Sequence, residues 1–298
     1  MRVGASVRSF YPDGDPRVMA RWMIERAAAA HAADLDSLFV GDHHATAQPY
    51  FQNVPILARM LGEWGERPFG ALFLLPMWNP VLLAEQIGTL AALAPGRFIA
   101  QVCVGAQPDP FRAMGADPPR RAELFESHLD SLKGLLAGEK VGGISIAPVP
   151  GEPVEYWIGA DAPVAIERAS RLGDAWLVSP NLSLEAAAAR LADHLESCAA
   201  QDRPPRATPI RRNLHVAGDE RELEERVRPA MAHAGPGVDP ETTLVGTVDQ
   251  IVDAFAEISA HGFDTVIARH FMDDPGAVLE SYARLGEVRR RVLDLTPD

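Results

Sequence analysis

FGALFLLPMWNPVLLAEQIGTLAALAPGRFIAQVCVG, residues 69–105, contains one complete structural unit. FGALFLL (69–75) is a short apolar run without polar alternation, the pattern of a strand buried on both faces. Asn79 and Pro80 then form a helix start: Asn79 can cap the first turn, and Pro80 lacks only an N–H that the first turn cannot use. PVLLAEQIGTLAAL (80–93) is too long for a strand and reads as a helix, which Ala94-Pro95-Gly96 ends. RFIAQVCVG (97–105) is again short and apolar. Two strands apolar on both faces and joined by a helix fit a parallel pair, which needs such a crossover connection.

The same unit recurs on both sides. Strands are expected at 3–7, 37–41, 69–75, 97–105, 154–160, 175–179, 209–217 and 264–271. Helices are expected at 18–33, 54–64, 80–93, 118–138, 163–173, 184–201, 220–232, 248–262 and 276–293. Eight strand–helix units with short connections predict an α/β fold, a (β/α)8 TIM-type barrel. A doubly wound sheet usually has fewer units. Residues 1–298 are expected to form a single domain with insertions at the C-terminal mouth. Glu139 to Pro153 is Gly- and Pro-rich and suits a small hairpin at VGGISIAP. HAGPGVDPETTLVG (233–246) reads as a loop near the mouth.

Composition narrows the function. The net charge of −13 opposes nucleic acid and anionic membrane surfaces, which demand basic patches. No run of eighteen apolar residues is present, and the N-terminus has no apolar signal core, so a cytoplasmic protein without a membrane span is expected. Cys103 and Cys198 lie in unrelated contexts and suit a reducing compartment. Cys103, inside FIAQVCVG, reads as a small core residue.

In a barrel, chemistry sits at the C-terminal ends of the strands. The second strand, SLFVG, runs directly into Asp42, His43 and His44. A metal site, a proton-transfer site and a histidine-rich loop compete there. Adjacent strand residues point to opposite sides, so His43 and His44 would not easily share one ion. His215 and His270 lie near later strand ends, but no HxH or HExxH motif exists. Proton transfer fits best, because histidine titrates near neutral pH. Catalytic candidates are therefore His43 first, then His44 and Asp42, with no metal.

Several stretches together resemble the bacterial luciferase-like superfamily of flavin- or deazaflavin-dependent oxidoreductases. They are LFVGDHH with VPILARMLG, the segment from Leu75 to Asp117, EYWIGADAPVAIERASRLGDAWLVS, and LVGTVDQIVDAFAEISAHGFD. The resemblance independently implies a (β/α)8 barrel. It implies a cofactor in the mouth, reduced FMN or alternatively a deazaflavin coenzyme. It implies a monooxygenase acting with O2 on a small organic substrate, with a separate flavin reductase as partner. Deazaflavin-dependent hydride transfer and a non-catalytic flavin-binding protein are the alternatives. It also implies a homodimer, through the helix at 54–64.

Carried onto this chain, the resemblance assigns His43 to catalysis, with Asp42 where many relatives have Glu. It places the cofactor phosphate at the turn Gly159, Ala160, Asp161 and Ala162, with Arg121 as the favoured cation. Asp161 adds a negative charge there, and Val104 stands where relatives carry another arginine. It suggests a non-prolyl cis peptide at Ala71–Leu72, or one bond later, supporting the flavin ring. Gly105 permits close approach and Gln107 can hydrogen-bond a ligand. Phe10, Tyr50, Trp78, Asn79, Trp157, Ser179 and His270 are further pocket candidates.

Overall fold

The computed structural model describes residues 1–11, 14–235 and 237–294. The strands are β1 (Arg2–Val7), β2 (Ser37–Val40), β3 (Phe69–Leu74), β4 (Phe98–Cys103), β5 (Glu155–Gly159), β6 (Ala175–Leu177), β7 (Pro209–Val216), β8 (Leu244–Gly246) and β9 (Thr265–His270). All join one parallel sheet in the order β6-β5-β4-β3-β2-β1-β9-β7-β8. Val178, just past β6, donates to Pro209 O (3.2 Å) and accepts from Arg211 N (3.2 Å), which links β6 to β7 and closes the ring. Eight of these strands thus make the expected barrel, and β8 is an extra piece on β7.

Helices lie between the strands: α1 (Pro16–Ala32), α2 (Asn53–Trp64), α3 (Pro80–Leu93), α4 (Pro108–Ala113), α5 (Arg121–Leu136), α6 (Pro163–Leu172), α7 (Leu184–Ala200), α8 (Glu220–Glu222), α9 (Arg228–Ala232), α10 (Val248–Ala260) and α11 (Pro275–Asp294). As the sequence predicts, Pro80 opens α3 and the Asn79 side chain accepts from the N–H groups of Val81 and Leu82. The main core lies between the sheet and these helices. A second cluster, including Phe39, Ile99, Trp157, Leu177 and Ile267, fills the ring itself. It marks which residues face inward, since cross-strand partners share a face. Beneath it, buried Glu155 receives Arg97 (3.0 Å) and the Trp157 indole N–H (2.7 Å), plugging the bottom.

Four expectations change. The stretch 233–246 is not all loop, because Leu244–Gly246 pairs with Leu214–Val216; a three-residue strand is too short to show a period. Pro236, within that stretch, lies outside the described residues. The helix expected at 220–232 is interrupted by a π turn, Leu223–Val227. Pro229 follows two residues on and removes an N–H from the ladder, a common setting for such a turn. Beyond Gly105 and Gln107, where no helix is expected, the short α4 forms, opened by Pro108. Finally, no cis bond lies at Ala71–Leu72 or Leu72–Phe73; among the described residues the cis peptide is Ala147–Pro148. β3 pairs residue for residue with β4 from Phe69 to Leu74, and that regular register leaves no bulge to house one.

The insertion between α5 and β5 packs over α3. It carries the expected small hairpin, with Val141 and Ile144 bridged antiparallel. Gly88 permits the close approach: a Cβ there would stand 2.1 Å from Pro148 O.

Candidate active site

Asp42, His43 and His44 leave β2 at the mouth, and the structure separates their positions. The Asp42 side chain is fully buried. Its Oδ2 accepts the Leu74 N–H (2.8 Å) and the Trp78 indole N–H (2.8 Å). It thereby ties the ends of β2 and β3 together and holds Trp78 against the barrel. His44 is also buried. Its Nε2 lies 3.2 Å from Asp42 Oδ1, but the geometry is too poor for a hydrogen bond. Its ring meets the edge of Trp78 at 5.4 Å. His43 is only half-buried. Its ring stands 5.8 Å from Tyr50, and Gln52 donates to its backbone carbonyl (3.1 Å), so the backbone is held while the imidazole is not.

Tyr50 occupies the mouth beside the end of β2. A Cβ on Gly41 would lie 2.7 Å from the Tyr50 hydroxyl, so glycine makes room for the phenol. Burial pushes the Tyr50 pKa far up and nearby Asp42 adds to this, so the phenol stays protonated at neutral pH. Phe10 pairs with it through an isolated bridge. The opposite wall follows from register. Leu72 pairs with Gln101, Leu74 with Cys103, and Cys103 with Gly159, all on the inward face. Leu72 and Leu74 are half-exposed, an apolar wall open to the mouth. Cys103 belongs to this wall rather than to the outer core. Burial holds its thiol up, at about 11, so it is not a ready nucleophile.

Arg211 and Arg269 complete the ring. Arg211 pairs in register with Ile267, and Arg269 with Asn213. Both therefore share the inward face of Ile267. Arg269 donates to Asn213 Oδ1 (2.8 Å) and Gly237 O (3.0 Å). Burial lowers both guanidinium pKa values, that of Arg269 to about 10 with the positive charges of Arg211 and Arg8 contributing. Neither arginine is among the candidates drawn from the sequence. The available signal was a pair of arginines inside strands that otherwise read as buried.

The other candidates scatter. Gly105 sits in the left-handed region (φ 78°) beyond β4, and Gln107 is the exposed residue before α4. Arg121 begins α5, exposed, and donates to Pro118 O (3.1 Å). Ala71 faces the outer core. Ala162 precedes α6 with no side chain capping its N–H groups, and the Asp161 side chain does not occupy them. An uncapped helix start facing the mouth suits a phosphate. Ala160 O is taken by the Trp176 indole N–H (2.8 Å). Trp157 is inner core, Asn79 is a helix cap and Ser179 is half-buried beyond β6. His270 does not reach the mouth: pairing with Leu214 sets it on the outer face, against Tyr282 at 4.1 Å. A separate cleft of about 320 Å³ lies on the rim, lined by Met77, Trp78, Met114, Arg120, Leu124 and His128 among others.

A barrel with an inward polar mouth is the architecture of many enzyme classes, and comparison narrows it. The profile of the luciferase-like monooxygenase family matches residues 5–240, and the chain belongs to that family. Its members and structural neighbours are flavin- or F420-dependent oxidoreductases and monooxygenases. In sequence the chain is 25% identical over 198 residues to an F420-dependent glucose-6-phosphate dehydrogenase of Kribbella flavida, covering 60% of this chain and 59% of that protein. The chain thus spans about three fifths of that relative. In structure it superposes on the monooxygenase RslO1 of Streptomyces bottropensis with a TM-score of 0.80 at 18% identity, covering 98% and 99% of the two chains. An F420-dependent secondary alcohol dehydrogenase in complex with an F420-acetone adduct gives a TM-score of 0.80 at 15% identity, covering 98% of each. At such identities the superpositions speak for the fold. Among the described residues no helix is long and apolar enough to cross a membrane.

Proposed function

We propose that this protein is a deazaflavin-dependent oxidoreductase that moves a hydride between a small alcohol-type substrate and an F420-like coenzyme. The observation that carries the reading is the sequence similarity to an F420-dependent dehydrogenase, since the structural likenesses bear on fold alone. The mouth suits the assignment. Leu72 and Leu74 offer an apolar wall to a planar ring, and the bare start of α6 suits the coenzyme's phosphate. The coenzyme supplies the hydride chemistry, and the protein positions both reactants. His43 is the proton acceptor: it is half-exposed beside Tyr50, with its ring free of protein hydrogen bonds among the described residues. Tyr50, kept protonated by burial, is a hydrogen-bond donor for the substrate oxygen. Asp42 holds the scaffold rather than the substrate.

The second reading is a monooxygenase using reduced FMN and O2, favoured by the family's description as luciferase-like monooxygenases. Titration of the purified protein with F420, FMN and reduced FMN separates the two. Preferential F420 binding, with substrate-dependent reduction of the coenzyme, supports hydride transfer. Preference for reduced FMN with O2 consumption selects the monooxygenase. Under either reading His43→Ala is expected to lower kcat about 10²–10⁴-fold, the usual contribution of a positioned acid or base, with little change in coenzyme affinity. Equal loss of both would sink the proton-transfer role.

A further inference from the structure

The inward face of β7 and β9 carries two cations that no carboxylate among the described residues neutralises. Among the described residues, no carboxylate comes within ion-pair distance of Arg211 or Arg269, and the Arg211 guanidinium has no hydrogen-bond acceptor. Arg269 uses only Nε and one Nη, on Asn213 Oδ1 and Gly237 O. This happens in a chain with 41 acidic residues against 28 basic ones. Several other partly buried arginines are paired with carboxylates: Arg8 with Asp273, Arg97 with Glu155, Arg168 with Glu126, Arg284 with Glu222 and Arg289 with Asp36. Among the described residues Arg26 and Arg212 form no ion pair either, but both are closed off inside the protein, donating to Tyr11 Oη and to Arg211 O, whereas Arg211 and Arg269 lie on the inward face at the mouth. Asp161 is near enough to Arg211 to act on it electrostatically, but it forms no ion pair with it.

Even a half-buried guanidinium without a counter-ion carries a desolvation cost, and a like charge on the neighbouring strand adds to it. Such an arrangement persists where a ligand supplies the missing charge. Guanidinium groups present planar forks of N–H donors that match the oxygens of carboxylates, phosphates and sulfonates. Arg211 and Arg269 are each half-buried, so their inward face remains open to the mouth. Asn213, braced on Gly237 O (2.9 Å), holds Arg269 in place through its Oδ1.

We infer that Arg211 and Arg269 form a substrate-binding subsite for an oxyanionic group, so that the substrate of this enzyme carries an acid function such as a phosphate, carboxylate or sulfonate. The inference rests on the mouth being the substrate site. The coenzyme phosphate has its own place at the start of α6, after β5, on different strands from these arginines.

The test is thermal unfolding of wild type, Arg211→Gln, Arg211→Lys and Arg269→Gln, in sodium phosphate and in sodium chloride of equal ionic strength. A parallel titration of each with F420 and FMN accompanies it. Phosphate is expected to raise the wild-type Tm by several degrees over chloride, Arg211→Lys by part of that, and the two Gln variants by little. In chloride Arg211→Gln should melt about 2–4 °C above wild type, because the uncompensated charge is gone; an arginine kept only for structure would give a fall. Coenzyme affinity should change less than about twofold, against a loss of roughly tenfold for phosphate, the scale of one charge-assisted contact. A phosphate effect of the same size in all four proteins, or no effect in wild type, overturns the subsite. Loss of coenzyme affinity with the phosphate effect intact overturns it too, and gives the arginines to the coenzyme. Arginine-dependent phosphate binding without any coenzyme binding would support the subsite while defeating the proposed hydride transfer.

Discussion

Asp42 is the residue on which the rim depends. Its short side chain is spent within the protein. One oxygen takes two donors, the Leu74 N–H and the Trp78 indole. Removing that acceptor leaves both donors buried and unpaired, at about 1–3 kcal/mol each. Asp42→Ala is therefore expected to destabilise by about 2–5 kcal/mol, and Asp42→Asn, which keeps one carbonyl oxygen, by about 1–2 kcal/mol. Urea unfolding followed by tryptophan fluorescence measures both, and the native emission should also shift as Trp78 loses its partner. A loss below about 0.5 kcal/mol for the Ala variant, on the scale of ordinary surface substitutions, would show that Asp42 does not hold the rim. Of the DHH triplet, sequence alone could place the residues at the mouth and predict that His43 and His44 diverge. It could not show that Asp42 bonds across to β3, because that contact depends on register between strands about thirty residues apart.

At the scale of elements, close backbone approach decides where glycine must stand. Gly70 lies on the inward face of β3, opposite Ile99. A Cβ there would fall 1.9 Å from Ile99 O and 2.8 Å from its carbonyl carbon, both backbone atoms that cannot swing away. Gly70→Ala should cost about 3 kcal/mol or more. Gly115, by contrast, has φ 75°, and a Cβ there would meet nothing within 4 Å. Gly115→Ala should cost only the left-handed backbone penalty, about 1–2 kcal/mol. If the two variants lose the same stability, the β3–β4 contact is looser than the register implies. The βαβ unit containing Gly70 was the most legible part of the chain, because its strands are apolar throughout and its helix has an explicit cap and proline start. The short pieces were not legible: β8 and α4 are too brief for a period, and the π turn depends on how Pro229 is accommodated. The arginines of the mouth were visible as charges in buried strands, but which face they took needed the pairing of β7 with β9.

For the whole molecule, three buried histidines set the pH window of stability. Burial lowers the pKa of His194 and of His215 to about 4, and that of His270 well below its ordinary value, with His215 and Arg26 adding to the last. His270 Nε2 lies 2.9 Å from Ser281 Oγ, and that oxygen already accepts the Val216 N–H (2.8 Å). The hydroxyl proton is thus free to donate to the imidazole, which fits a neutral ring whose proton sits on Nδ1. In the unfolded chain each histidine titrates near pH ~6.5. A depressed folded pKa means that the unfolded state takes up protons first, so stability is complete above about pH 6.5 and falls as pH drops toward 4. At pH 5 the loss should be about 1–2 kcal/mol per histidine, or about 3–6 kcal/mol in all, a large part of a typical 5–15 kcal/mol. Carboxylates with lowered pKa values, such as Glu126 between Arg168 and Arg171, lose their contribution only at more acidic pH, so they do not confuse this window. Urea midpoints from pH 7 to pH 5 should fall steeply for wild type. For His194→Gln/His215→Gln the slope should drop to about one third, even if the double variant is less stable at pH 7, because slope counts protons and not packing. A flat wild-type profile, or an unchanged slope in the variant, would mean that these histidines are protonated in the folded barrel.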